Sequence, residues 1–154
     1  MMKYILAIVI FVMTTSLNAE TLSFPSFQIE IQDGWEHTIE TGPGDNWGSV
    51  ISLSHPNGVG SLKILPFDAP AVVSEDILRN MTNVEFSVLL TWKNWGDYSG
   101  YQYDYFERAS FYRQWWLANE TGIIFIVYES NTESKDIEID EINKIIDSIA
   151  VNNP

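Results

Sequence analysis

The chain has 154 residues, 45% of them apolar and 14% aromatic, which is enough for one domain with a sizeable core. It contains no cysteine, which excludes disulfides, a cysteine-linked lipid anchor and a cysteine nucleophile. Eight Lys and Arg stand against 21 Asp and Glu, a formal charge of −13. Such a surface repels the phosphates of nucleic acid and favours partners with a basic contact surface.

In chain order, the first segment reads as an export signal. Lys3 precedes the apolar run Tyr4 to Met13, followed by the polar Thr14-Thr15-Ser16 and then Leu17-Asn18-Ala19. These are the n-region, h-region and small-residue cleavage site of a secretory signal. A run of about ten apolar residues is far short of the roughly 20 that span a membrane. Cleavage is expected after Ala19, with Ser16 as the alternative because Leu17 is larger than the ideal residue. Removal of residues 1–19 takes away Lys3 and no acid, so the formal charge becomes −14. The expected product is one domain, residues 20–154, periplasmic or secreted and with no stable membrane anchor. Asn80-Met81-Thr82 and Asn119-Glu120-Thr121 are glycosylation triplets for a eukaryotic route. The short, simple signal favours a bacterial periplasm.

Residues 20–26 read as a polar lead-in. Phe27-Gln28-Ile29-Glu30-Ile31 alternates with period two and predicts a half-buried strand. Asp33-Gly34 is a turn signal, and Trp35 to Ile39 starts a second strand. Thr41 to Asn46 is a loop by composition. Ser49 to Ser54 and Gly60 to Leu65 form a hairpin across His55-Pro56-Asn57-Gly58, and Pro66 to Pro70 is read as irregular. Ser74 caps a helix with Glu75 and Asp76 in its first turn, and Ile77, Met81, Val84 and Val88 are its expected apolar face.

From Trp92 the chain is densely aromatic. Tyr101 to Phe106 and Phe111 to Ala118 read as strands, and Asn119 to Gly122 turns the chain. Ile123 to Tyr128 is a continuous apolar run, the mark of a strand covered on both faces. Asn131 to Lys135 is loop. Ile142, Ile145, Ile146 and Ile149 then recur at helical spacing over residues 140–150, after an acidic approach that suits a helix N-terminus. These elements predict an α+β domain: a mainly antiparallel β-sheet packed against a mid-chain helix and a C-terminal helix. The apolar strand 123–128 is expected at its centre, under the last helix.

This order resembles the PsbP/Mog1-like fold family of small α+β domains, many of them exported bacterial proteins. Phe27-x-Ile29-x-Ile31 runs into Asp33-Gly34-Trp35, similar to the family's opening strand and Pro-x-Gly-Trp, with Gln32 at the proline position. A hairpin with Pro56-Asn57-Gly58 and a helix follow. Arg113-x-Trp115-x-Leu117 then pairs with the strand ending in Tyr128, and Ile145-Ile146-Asp147-Ser148-Ile149 closes the chain. The resemblance spans nearly the whole of residues 20–154. It implies protein binding without catalysis, as fold analogy and no more.

The residues themselves offer little chemistry. His37 and His55 fall on different predicted elements, so no metal site is expected. Asn131-x-Glu133-x-Lys135-Asp136 has superficial calcium-ligand spacing, but Lys135 stands where a ligand is needed and no glycine follows. No nucleophile motif is present, and Asp104 and Glu107, with His55, are the carboxylates and base a hidden hydrolase would use. No catalytic residue and no cofactor are assigned.

The aromatic stretch from Trp92 to Trp116 is the unusual feature. Such rings fill cores and coat sheet faces; they also anchor interfaces and stack on sugars. The candidate binding surface is Trp92, Trp95, Tyr98, Tyr112 and Trp116, while Arg113 is expected to pair with an acid. The favoured function is an exported, non-enzymatic protein-binding domain, concretely an immunity protein that blocks a toxin acting in the periplasm. The alternative is a carbohydrate- or small-ligand-binding module that uses the aromatic region.

Overall fold

A computed structural model of the chain describes residues 19–68, 73–82 and 84–152. The expected signal, residues 1–19, lies outside them apart from Ala19. Among the described residues the order is β1 (Glu20–Ser23), β2 (Phe27–Ile31), β3 (Glu36–Glu40), β4 (Val50–Ser54), β5 (Gly60–Phe67), α1 (Glu75–Thr82), β6 (Thr91–Trp95), β7 (Tyr98–Glu107), β8 (Ser110–Ala118), β9 (Ile123–Asn131), α2 (Ile139–Asp147) and β10 (Ala150–Val151). A single 3-10 turn, Thr132–Ser134, precedes α2. Every strand pairing among these residues is antiparallel. Seven strands form one sheet in the order β3-β4-β5-β9-β8-β7-β6, and β1-β2-β10 form a small second sheet. The fold is therefore α+β, as the sequence predicts, with two sheets rather than one.

The core lies between them. Ile51, Leu53, Leu62, Ile64, Trp115, Leu117, Ile124, Ile126 and Tyr128 point from the large sheet toward Phe27, Ile29 and Ile31 of β2 and the isoleucines of α2. Each is almost wholly buried. Fully burying such a side chain contributes roughly 1.5–3 kcal/mol, so this seam does what disulfides do in many exported domains. β9 is the middle strand of seven, as expected, but it is sealed on one face only: Ile124, Ile126 and Tyr128 are buried in the core, whereas Ile123, Phe125 and Val127 on the outer face are partly exposed.

Polar ties fix the lid to the sheet. Gly34, with φ of 84°, turns the chain so that Trp35 buries its ring and donates its Nε1–H to Glu141 Oε2 on α2 at 2.8 Å. Glu138, just before α2, is buried. It accepts the Val59 amide at 2.9 Å and the Tyr128 hydroxyl at 3.1 Å. Burial above all, with the Glu138 charge adding to it, pushes the Tyr128 phenol up to about 12.

Several elements differ from the sequence reading. The polar lead-in contains a strand, β1, because β2 is otherwise an edge that exposes its amides. Pro66 and Phe67 continue β5 instead of breaking it. The Pro66 carbonyl accepts the Gly48 amide on the side away from β9, so its missing N–H is on that side too and the ladder to β9 is untouched. Ser74 does cap α1, through Oγ and the Ile77 amide at 3.3 Å, but the helix ends at Thr82 and cannot present Val84 or Val88. Its buried residue is Leu78, whereas Ile77 and Met81 are exposed at 45% and 66%. Helix α2 stops at Asp147, with Ile149 still packed in the core.

Candidate functional site

Alternation along β7 and β8 sorts the aromatic stretch. Register pairs Tyr101 with Trp116, Tyr103 with Gln114 and Tyr105 with Tyr112; the interleaved pairs are Gln102 with Trp115 and Asp104 with Arg113. Successive side chains take opposite faces, so the first set lies on the outer face and the second on the core side. On the core side Trp115 donates its Nε1–H to Gln102 at 3.0 Å, and Arg113 grips Asp104 with two bonds of 2.6 and 2.7 Å. The expected acid partner of Arg113 is thus Asp104.

Two of the five candidate surface residues belong to the core. Trp95 and Tyr98 are 2% and 3% exposed. They pair with each other at the turn between β6 and β7, and that register turns both inward. The Tyr98 hydroxyl donates to the Ser26 carbonyl at 3.3 Å, tying the turn to the small sheet. Trp92, Tyr112 and Trp116 are on the outer face, where Trp92 is half exposed and meets Tyr101 edge-on at 4.9 Å.

That outer face has its own small apolar cluster. Leu78 and Tyr103 are buried yet stand apart from the main core. Leu78 is the one buried residue of α1, the only helix on this side among the described residues. Beside it lies a hollow of about 220 Å³, lined by Trp47, Phe67, Ile77, Met81, Trp116 and Phe125 among others. Trp116 and Phe125 pack at 4.7 Å and Trp47 meets Phe67 at 5.2 Å. The Trp116 Nε1–H reaches no acceptor within hydrogen-bond distance among the described residues.

Next to the hollow runs a groove of about 900 Å³, between the segment that follows α1 and the outer part of β7 and β8. Tyr103, Tyr105 and Tyr112 form a row, with Tyr105 and Tyr112 stacked at 4.8 Å. Gln114 links the first two, accepting from the Tyr103 hydroxyl and donating to Tyr105 at 3.0 Å. Burial holds the Tyr103 and Tyr105 phenols above the ordinary tyrosine value. Tyr112 is raised chiefly by its hydrogen bond to Glu129, at 2.9 Å. All three stay protonated, neutral donors near neutral pH.

The opposite wall is built around Arg79. Its guanidinium binds Glu75 on α1, donates to the carbonyls of Glu85 at 2.6 Å and Val88 at 3.0 Å, and lies 5.4 Å from the Phe86 ring centre. One side chain therefore shapes the whole segment from Val84 to Leu89. The sequence singled out none of Trp47, Phe67, Leu78 or Arg79, since a lone Trp or Arg between loops carries no periodic signal.

The hydrolase candidates do not converge. Asp104 is engaged by Arg113, Glu107 alternates to the other face, and His55 sits in the β4–β5 turn accepting the Asn57 amide. Among the described residues no group of three His, Asp or Glu side chains is placed to hold a metal ion. No described helix is long and apolar enough to cross a membrane.

No protein-family model and no curated protein matches the chain. Solved structures do, two of them as follows. The solution structure of cyanobacterial PsbP (CyanoP) from Synechocystis sp. PCC 6803 is similar over 96% of this chain and 99% of that one, at 10% identity and a TM-score of 0.58. A crystal structure from Bacteroides thetaiotaomicron covers 82% of this chain at 15% identity and a TM-score of 0.51. The chain spans only 45% of the length of that Bacteroides protein. At such identities the likeness is one of architecture, and it shows that the chain has a PsbP-like fold.

Proposed function

We propose that residues 20–154 form an exported, non-enzymatic domain that works by binding another protein through the outer face of the large sheet. The observation that carries this is the uneven cover of the two faces. The inner face is covered by α2 and the small sheet, whereas among the described residues the outer face has one two-turn helix and leaves large apolar groups in water. Phe86 and Leu89 are 90% and 80% exposed, with Trp92 near them in the chain at 52%. Exposed apolar groups gathered beside a groove mark interaction sites more often than scattered ones do. A concrete form is an immunity protein that occupies a toxin in the periplasm, its acidic surface steering it to a basic target.

A photo-crosslinking residue at Leu89 tests this in cells of the native host. A stoichiometric adduct from position 89, absent when the crosslinker is at Thr38 on the far strand β3, supports the reading. No adduct, even with products of neighbouring genes co-expressed, overturns it.

The apolar hollow favours a second reading, a small-ligand module. Its lining suits an apolar ring or branched chain better than a sugar, which needs polar partners. Displacement of an apolar fluorescent dye, lost in Phe125→Ser, supports that reading; absence of dye binding removes it.

A further inference from the structure

We infer that the groove receives an extended basic segment of the partner, with arginine or lysine side chains reaching Glu85 and Glu107. This rests on the protein-binding reading and specifies the chemistry of its contact.

Three observations converge. The first is charge: the described residues that line the groove include Glu85, Asp104 and Glu107, and no lysine or arginine. Asp104 is neutralised by Arg113, which leaves Glu85 and Glu107, both exposed and without a cationic partner among the described residues. The second is the apolar rim. Leu89 stands at 80% exposure on the groove, and Phe106, 57% exposed, borders it at the end of β7 although its side chain alternates toward Phe111. A chain in extended conformation alternates its side chains, so basic residues reach the carboxylates while its apolar residues cover this rim. The third is donor and acceptor balance. Tyr105 already accepts from Gln114, and its own hydroxyl hydrogen has no acceptor among the described residues, leaving it free for a backbone carbonyl of the incoming segment.

Arg79 in the opposite wall does not oppose this. It is held by a carboxylate, two carbonyls and an aromatic ring, so its charge is matched within the wall by Glu75 and does not offset Glu85 or Glu107. A net acidic chain of −13 disfavours an acidic segment here, and the unpaired carboxylates disfavour a wholly apolar one.

The test is titration of the mature protein with a capped heptapeptide of alternating arginine and leucine, at about 150 mM salt so that long-range attraction is screened. Binding is followed by amide chemical shifts and calorimetry. The double variant Glu85→Gln with Glu107→Gln is compared with Glu36→Gln and Glu40→Gln, an equal charge change on the exposed far strand β3. The inference predicts at least about a tenfold loss of affinity in the groove variant and less than about a twofold change in the control. It also predicts shifts at Tyr105 and Leu89, and no binding of the glutamate-for-arginine peptide. Equal losses in both variants would mean diffuse charge attraction and overturn the inference, as would absence of binding to the wild type. If Leu89 still crosslinks a partner while the peptide fails, the protein-binding reading stands and the basic segment is refuted.

Discussion

Gly60→Ala tests the packing around the buried Tyr128–Glu138 pair. Gly60 opens β5 opposite Ser130, and the Tyr128 ring lies across it. A Cβ there would stand 2.5 Å from the Tyr128 hydroxyl oxygen and 2.6 Å from the Glu129 carbonyl oxygen, with the ring edge nearer still. Carbon needs about 3.5 Å from such atoms, so either the ring or the strand must move. Tyr128 is fully buried among the core residues, so the ring can move only by displacing neighbours. Overpacking of this kind costs about 1–3 kcal/mol. Displacing the hydroxyl also leaves Glu138 Oε2 without its partner, while Oε1 keeps the Val59 amide, a further cost of about 1–3 kcal/mol. The expected loss is therefore about 2–6 kcal/mol, read from urea midpoints at constant m-value. Gly44→Ala is the control: its Cβ would meet only Trp47, at 3.4 Å, and the change should be within about 0.5 kcal/mol. A loss below about 1 kcal/mol for Gly60→Ala would refute the argument, because the ring would then be free to yield.

The same pair gives an alkaline prediction. The Tyr128 phenol ionises at about 12 in the folded chain but near 10 when unfolded, so the unfolded state loses its proton first. Stability should be intact below pH 10 and fall by roughly 2–3 kcal/mol between pH 10 and 12, a decline reduced in Tyr128→Phe; urea titrations across that range check it. Leu78→Ala removes the single anchor of α1 and should cost about 2–4 kcal/mol, against under about 0.5 for the exposed Met81→Ser, by thermal unfolding. Arg79→Ala should free the Val84–Leu89 wall, seen as faster amide exchange at Val88 and Leu89, with exchange in the β8–β9 ladder unchanged. Arg113→Lys keeps the charge but loses the two-pronged grip on Asp104, a half-exposed pair whose loss should cost only about 1 kcal/mol in denaturation midpoints.

Much of this protein is legible in its sequence. Period-two alternation in Phe27 to Ile31, the turn residues at Asp33-Gly34 and Asn119 to Gly122, and the i, i+3, i+4 isoleucines of α2 are local signals. The structure keeps each of them because burial reinforces the local preference. The apolar run Ile123 to Tyr128 even announced its own central place. What failed were positions whose role depends on a neighbour distant in sequence. β1 exists because β2 needs a partner, and Pro66 sits in a strand because its missing donor faces a loop. Leu78, not Ile77 or Met81, is buried because a two-turn helix touches the sheet along one line only.

The candidate site shows the same division. Composition alone marked the aromatic stretch, and alternation alone split Tyr101, Tyr103 and Tyr105 from Gln102 and Asp104. Which set faces the core is decided by the side on which α2 and the small sheet pack, and no local pattern encodes that side. It sends Trp95 and Tyr98 inward and leaves Trp92 in water. The sequence determined the longer elements, the acidic charge and the absence of disulfides; the tertiary structure added the short strands β1, β6 and β10 and decided which face is sealed and which is left open, because burial belongs to the pairing of surfaces and not to any one strand.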